Sequence, residues 1–102
     1  MYKENYGHRT PFSKFGTDLS NEPVPQLGIS PAKHLFTSTG IDPTVVDHVV
    51  FGCCYQPATT LGNVARTIGV RVGVPVDVPA VTVHRNCASG FEAITYAVDK
   101  AQ

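Results

Sequence analysis

The sequence has few cysteines, a low charge content and no long apolar run. Charged residues make up 16% of its 102 residues, and eight Lys and Arg side chains balance eight Asp and Glu side chains to a formal net charge of zero. The lack of a basic excess argues against a nucleic-acid partner, and the lack of a long apolar run argues against a membrane span. The first eight residues carry neither the apolar core of a secretory signal nor the Arg-rich pattern of a transit peptide, so we expect a cytoplasmic protein.

The three cysteines, Cys53, Cys54 and Cys87, are odd in number, and two of them are adjacent. This arrangement argues against a disulfide framework, and the lack of a Cys-x-x-Cys spacing argues against a zinc site. The glycines are scattered and form no phosphate-binding loop. We therefore expect neither a metal nor a nucleotide cofactor. Cys53 and Cys54 are interpreted as small buried hydrophobic side chains at the end of a strand.

Apolar residues make up 42% of the chain, which is too many for a disordered segment. Short runs rich in valine alternate with helical patterns, and this alternation predicts an α/β fold with helices packed on a sheet. Asn63 is a candidate N-cap for a helix that turns Val64, Ala65 and Ile68 inward. In the first half of the chain we predict a poor strand at 2–6, a loop at 9–26, a helix from Ser30-Pro31 to Gly40 and a strand at 46–53. In the second half we predict a loop at 56–62, a helix at 64–72, a strand at 80–84 and a helix from Ala88 onward. The last helix carries an apolar face made of Phe91, Ile94, Val98 and Ala101.

Cys87 lies where the last predicted strand turns sharply into the last predicted helix, in the stretch His84-Arg85-Asn86-Cys87-Ala88-Ser89-Gly90. The N-terminus of a helix presents unpaired amide groups and the positive end of the helix dipole. Both favour a thiolate over a thiol, and the same amides stabilise an oxyanion when a thioester carbonyl is attacked. Small residues follow Cys87, and Arg85 adds positive charge nearby. The local chemistry leaves two readings open, a reactive nucleophile and a cysteine buried under the helix cap.

Three separated stretches of the chain resemble segments of the thiolase family, a group of biosynthetic and degradative acyl-CoA acyltransferases. The first is the Arg-Thr-Pro-Phe-Ser-Lys-Phe-Gly segment at 9–16. The second combines Gly-Ile-Asp-Pro at 40–43 with Val-Asp-His-Val-Val-Phe-Gly at 46–52. The third combines Gly-Asn-Val-Ala-Arg at 62–66 with the segment at 79–90 that contains Asn-Cys-Ala-Ser-Gly. The resemblance covers nearly the whole chain from Arg9 onward.

The resemblance implies a layered α/β thiolase fold, of which residues 1–102 form part of the N-terminal domain as an incomplete half with the order strand-helix-strand-helix-strand-helix. It implies that Cys87 accepts an acyl group from an acyl-CoA, for thiolytic cleavage of a 3-ketoacyl-CoA or for Claisen condensation with acetyl-CoA. Coenzyme A thioesters are then the substrates, with no further cofactor. The family also implies a homo-oligomer in which Val81 and Val83 contact a second subunit.

The chain departs from the family pattern at both ends. Lys3, Glu4 and Asn5 stand where the family has a hydrophobic first strand, and the sequence ends at Gln102. The family's two activating histidines and its second cysteine come from the other half, so we assign none of the four histidines, nor Cys53 or Cys54, to those roles. Two alternatives stay open: a non-catalytic remnant or association module, and a ketoacyl-synthase relative, which the Asn-Cys-Ala-Ser-Gly motif fits less well.

Overall fold

The computed structural model describes residues 6–56 and 62–102. Two short strands form a parallel pair, in which Val49 lies opposite Ala80 and Gly52 lies opposite Val83. No helix in these two ranges is both long and apolar enough to cross a membrane. The elements, in chain order, are α1 (Val24–Thr39), a 3-10 turn (Pro43–Val45), β1 (Val49–Gly52), α2 (Val64–Arg71), β2 (Ala80–Val83) and α3 (Ser89–Ala101).

The helices lie on both faces of this sheet. Successive residues of β1 point to opposite sides, so neighbouring residues of the strand meet different helices. Phe51 packs against the core of α1 and α2, and the Val49 side chain lies against Gly69 of α2. Gly52 lies instead against the first residues of α3. The molecule therefore has three layers, with α1 and α2 on one side of the sheet and α3 on the other.

The core lies between α1, α2 and the sheet. Ile29, Val64 and Ile68 form one buried cluster, and Ala65 beside them is fully buried. The prediction that Val64, Ala65 and Ile68 point inward is thus confirmed. Gly28 of α1 allows this packing, because a Cβ there would collide with the Ile68 side chain and lie 3.2 Å from the Phe51 ring.

Asn63 joins the start of α2 to strand β2. Its Oδ1 atom accepts a hydrogen bond of 3.2 Å from the Arg66 amide, which is the predicted N-cap, and a second of 2.7 Å from the Thr82 hydroxyl. Its Nδ2 atom donates to the Ala80 carbonyl at 3.2 Å, and the Thr82 hydroxyl accepts from the Ala65 amide at 3.1 Å. Every hydrogen bond in this group links α2 to β2 or closes the first turn of α2, so the group fixes that helix on the sheet.

Helix α1 begins at Val24, so the prediction of a loop to Gln26 and of a helix start at Ser30-Pro31 is wrong. The N-cap Pro23 is extended (φ −65°, ψ 152°), and Pro25 lies in the first turn, where a missing amide hydrogen costs nothing. Pro31 lies inside the helix and has no amide hydrogen for the carbonyl four residues earlier. Burial of Pro25 and Ile29 offsets that loss, and this tertiary contact decides where the helix begins. The predicted stop is confirmed, since Gly40 caps the helix in the left-handed region at φ 72°.

The two predicted strands are present but shorter than predicted, which corrects the bounds 46–53 and 80–84. Pairing begins where the Val49 amide donates to the Pro79 carbonyl at 3.0 Å, and Val46 instead caps the 3-10 turn. Proline has no amide hydrogen to extend the ladder in that direction. The predicted strand at 2–6 lies outside the described residues except for Tyr6, which has no regular structure, and most of the predicted loop at 56–62 also lies outside them.

Helix α3 packs on the sheet through a face that carries few apolar residues. Ser89 is buried, and Tyr96 on the same face lies beside His48, with their ring centroids 5.9 Å apart. The predicted apolar face lies away from this packed side: Phe91 is 78% exposed and Ile94 is 65% exposed, whereas Val98 is half-buried. We call this face, made of Phe91, Ile94, Val98 and Ala101, the apolar stripe.

Asp42 gives one prediction about acid stability. Its carboxylate accepts a hydrogen bond of 2.9 Å from the Thr44 amide, and hydrogen bonding to Thr44 lowers the pKa of Asp42 below its ordinary value of 3.8. The stabilisation is therefore complete above that value and is lost as the pH falls through the lowered pKa. We expect Asp42→Asn, which keeps the acceptor oxygen but not the charge, to be less sensitive to acid in thermal unfolding followed from neutral to strongly acid solution. Identical acid dependence in the two proteins would contradict this prediction.

Candidate active site

A tight turn at residues 84–89, which we call the elbow, connects β2 to α3. Asn86 in this turn has a left-handed backbone conformation, with φ 46°, which Asn adopts more readily than most residues. The Ala88 amide donates to the Arg85 carbonyl at 2.9 Å, and the Ser89 amide donates to the Asn86 carbonyl at 3.2 Å. The chain thus reverses direction between the strand and the helix within a few residues.

Cys87 lies in the middle of the elbow, and its free thiol is exposed. The exposure contradicts the alternative reading of a cysteine buried under the helix cap. The strand-to-helix placement predicted from the sequence is confirmed, since β2 ends at Val83 and α3 begins at Ser89. Cys87 therefore lies on the surface of the described residues, at the N-terminal end of α3.

The electrostatic surroundings of Cys87 differ in one respect from the expectation. The Arg85 guanidinium forms an ion pair with Glu92 of α3, with Nη1 and Oε2 3.0 Å apart. The two side chains are 69% and 27% exposed, so solvent screens the pair. The positive charge that the sequence places beside Cys87 is thus offset by Glu92, and the backbone of α3 is left as the main local source of positive potential.

Gly52 at the end of β1 holds the elbow close to the sheet. A Cβ atom built on Gly52 would collide with the Ser89 carbonyl and lie 2.9 Å from the Gly90 amide nitrogen. Both neighbours are backbone atoms, which have no rotamer to change. Only glycine allows β1 and the start of α3 to approach this closely.

The sequence analysis assigned no role in the elbow to Ser89 or to His84. The hydroxyl of Ser89 is hydrogen-bonded to Arg85 and Asn86, and Nδ1 of His84 accepts from the Asn86 amide at 3.3 Å. Serine side chains often form hydrogen bonds with backbone groups three or four residues earlier in the chain. The bond from Ser89 to Asn86 could therefore have been predicted from the sequence.

The other two cysteines differ in how well they match the prediction. Cys53 is half-buried, and its thiol donates to the Tyr55 carbonyl at 3.0 Å, whereas Cys54 is exposed. Cys53 packs against the buried cluster of α1 and α2, in partial agreement with the prediction of a small buried hydrophobic side chain. The prediction is wrong for Cys54, which is exposed. In the described ranges, no three His, Cys, Asp or Glu side chains come together in an arrangement that could hold a metal ion.

Comparison with known proteins decides the family. The sequence-family model described as "Thiolase, N-terminal domain" matches residues 6–102. The chain belongs to the thiolase family. Human mitochondrial 3-ketoacyl-CoA thiolase is 36% identical over 86 residues, which cover 84% of this thiolase chain and 22% of the human protein. The β-ketoadipyl-CoA thiolase of Pseudomonas aeruginosa is 40% identical over 87 residues, with the same two coverages of 84% and 22%.

Solved structures agree with the sequence comparison. The crystal structure of human mitochondrial 3-ketoacyl-CoA thiolase matches with a TM-score of 0.86 and 32% identity, over 92% of this thiolase chain and 24% of the human one. A crystal structure of the same human protein in complex with CoA matches with a TM-score of 0.85. The predicted fold class is confirmed: the three helices and the small parallel sheet of residues 6–56 and 62–102 form part of the thiolase fold. The thiolase chain spans 22% of the length of the curated relatives named above.

Proposed function

We propose that Cys87 is the acyl-accepting nucleophile of an acyl-CoA C-acyltransferase. The observation that carries the proposal is the exposed thiol in the middle of the elbow, at the N-terminal end of α3. Cysteine suits acyl transfer between thioesters, because the exchange costs little and keeps the acyl group activated. The relatives named as thiolases and the CoA complex of the human protein support coenzyme A thioesters as the substrate class.

The chemistry would proceed in two balanced steps. In the degradative direction, the Cys87 thiolate attacks the 3-keto carbon of a 3-ketoacyl-CoA and forms the new C–S bond. The C2–C3 bond then breaks, and the released carbanion takes a proton to become acetyl-CoA. The thiolate of free CoA next attacks the acyl-cysteine, releases a shortened acyl-CoA and regenerates Cys87. In the synthetic direction, the acyl-cysteine instead receives the carbanion of acetyl-CoA.

Backbone amides of the elbow are the proposed stabilisers of the oxyanion that forms during each attack. The amides of Ala88 and Ser89 are already donated to the Arg85 and Asn86 carbonyls. This leaves the amides of Cys87, Gly90 and Phe91 as the candidates within the elbow and the first turn of α3. We assign no general base among the residues of this chain.

Residues 1–102 are proposed to act as part of a longer, homo-oligomeric, cytoplasmic enzyme that needs no metal or further cofactor. We use "full-length protein" for the natural polypeptide that contains these residues. The full-length protein is expected to cleave acetoacetyl-CoA in a CoA-dependent reaction, whereas the isolated 102-residue chain is expected to show negligible turnover, because the α-proton needs a base held within hydrogen-bond reach. The decrease of acetoacetyl-CoA absorbance measures both. Turnover by the isolated chain would contradict the second expectation, and an inactive full-length protein would contradict the first.

One observation favours a second candidate function, an association module without catalysis. The exposed Phe91 and Ile94 side chains give α3 an apolar surface that fits contact with another polypeptide. The thiolase family carries an activating histidine in a Gly-His-Pro-like motif and its second cysteine in a Cys-x-Gly motif. A coding sequence that continues beyond Gln102 with both motifs favours the enzyme. A stop codon directly after Gln102 favours the module.

A further inference from the structure

Ser89 differs from the other polar side chains of the molecule. Within residues 6–56 and 62–102, it is the one polar residue that is buried, with 5% of its surface exposed. Burying a hydroxyl costs free energy unless its hydrogen-bonding groups are satisfied. The bonds that satisfy it therefore show what holds the residue in place.

Both hydrogen bonds of the Ser89 hydroxyl are made to the backbone of the elbow. The Arg85 amide donates to Oγ at 2.9 Å, and Oγ donates to the Asn86 carbonyl at 2.7 Å. The Ser89 amide also donates to the Asn86 carbonyl, at 3.2 Å. The hydroxyl thus ties two consecutive residues before Cys87 to a residue after it.

These contacts fix the peptide unit that leads into Cys87. The Asn86 carbonyl receives two hydrogen bonds from Ser89, and Asn86 itself lies in the left-handed region at φ 46°. A peptide plane held at its carbonyl cannot rotate without breaking both bonds. Ser89 is in turn held against β1, because Gly52 leaves no space between the strand and the Ser89 carbonyl.

We propose that Ser89 is a positioning residue, whose hydroxyl holds the Asn86–Cys87 peptide so that the Cys87 sulfur faces the incoming thioester. This inference rests on the proposed role of Cys87 as the nucleophile. Ser89 touches neither substrate nor sulfur in this role, because it acts on the backbone on either side of Cys87. Removal of the hydroxyl leaves the Arg85 amide without its acceptor and the Asn86 carbonyl with one donor fewer.

The test measures the alkylation rate of each cysteine in the full-length protein with iodoacetamide and peptide mass spectrometry. In the wild type, Cys87 is expected to react faster than Cys54, which is also exposed and serves as an internal reference. Ser89→Ala is expected to slow Cys87 by roughly 10- to 100-fold, as expected for a displaced reacting group, and to leave Cys54 unchanged. Ser89→Thr keeps the hydroxyl and is expected to restore most of the Cys87 rate.

Each other outcome has a distinct meaning. A Ser89→Ala protein in which Cys87 reacts at the wild-type rate overturns the inference, and so do equal losses in Ser89→Ala and Ser89→Thr. A wild-type Cys87 that reacts no faster than Cys54 removes the proposed nucleophile, and with it the role of Ser89. A measurement that needs no variant is hydrogen exchange of the Arg85 amide in the wild type: slow exchange supports its bond to the buried hydroxyl, and exchange at the rate of an unprotected turn overturns it.

Discussion

Replacing Cys87 by alanine is expected to abolish the CoA-dependent cleavage of acetoacetyl-CoA by the full-length protein, with turnover reduced by roughly 10⁴- to 10⁶-fold. The substitution removes the atom that forms the acyl-enzyme, so neither half of the reaction has a covalent acceptor. The fold is expected to be retained, because Cys87 is exposed on the surface of residues 6–56 and 62–102 and is not part of their core. Binding of CoA thioesters is expected to persist for the same reason.

The acyl-enzyme itself gives the sharper measurement. Incubation with acetyl-CoA and rapid quenching in acid should add one acetyl group to the peptide that contains Cys87 in the wild type and none in Cys87→Ala. Cys54→Ala is the matched control, because it removes another exposed thiol close to the end of β1 and should leave both labelling and turnover unchanged. Acetyl label on Cys53 or Cys54 rather than on Cys87, or unchanged turnover in Cys87→Ala, would show that the nucleophile lies elsewhere.

Gly52→Ala is expected to destabilise the protein by about 1–3 kcal/mol, the usual cost of forcing an extra methyl group into a closely packed site. The new Cβ meets the Ser89 carbonyl and the Gly90 amide, which are backbone atoms, so strand β1 or the start of α3 must shift. Since the same shift moves the elbow, the alkylation rate of Cys87 should fall with the stability. Gly52→Val should have a larger effect on both.

Gly90→Ala is the control for this effect. A Cβ at Gly90 has no heavy atom within 4 Å, and Gly90 lies in the first turn of α3. Alanine there is expected to be neutral or to stabilise the helix by up to about 1 kcal/mol, because glycine loses more backbone entropy on folding. The midpoints of thermal unfolding of both variants provide the comparison. If Gly52→Ala and Gly90→Ala unfold at the same temperature, the close approach at Gly52 is not a constraint on the fold.

The elements that the sequence predicted well are those determined by nearby residues. Asn63 precedes an amphipathic segment at the correct spacing, so the cap and the buried face of α2 follow from local chemistry. The alternating residues of β2 and the strand-to-helix junction at Cys87 are equally local. Residues close to Cys87 in the chain are therefore sufficient to predict the turn in which the candidate nucleophile lies.

The features that were missed depend on residues distant in the chain. Ser30-Pro31 has the composition of a helix start, but the helix begins six residues earlier, at Val24, where Pro25 is buried and Ile29 packs against α2 and the sheet. The direction of the apolar stripe could not be read from its spacing, because periodicity shows that a helix has an apolar face but not which neighbour covers it. The hydrogen bonds of Ser89 follow a local pattern, but its burial, on which the proposed role depends, cannot be read from the sequence.

Helix α3 has the elbow at its N-terminal end and the apolar stripe along one side. Its sheet-facing side carries Ser89, whose hydrogen bonds fix the backbone before Cys87, while Phe91 and Ile94 of the apolar stripe are exposed. Full burial of a side chain of this size contributes about 1.5–3 kcal/mol. A polypeptide segment or second molecule that binds the stripe in the folded state alone shifts the equilibrium toward that state. Binding to the stripe on one side of α3 is thus expected to stabilise the elbow as well, because both belong to the same folded state.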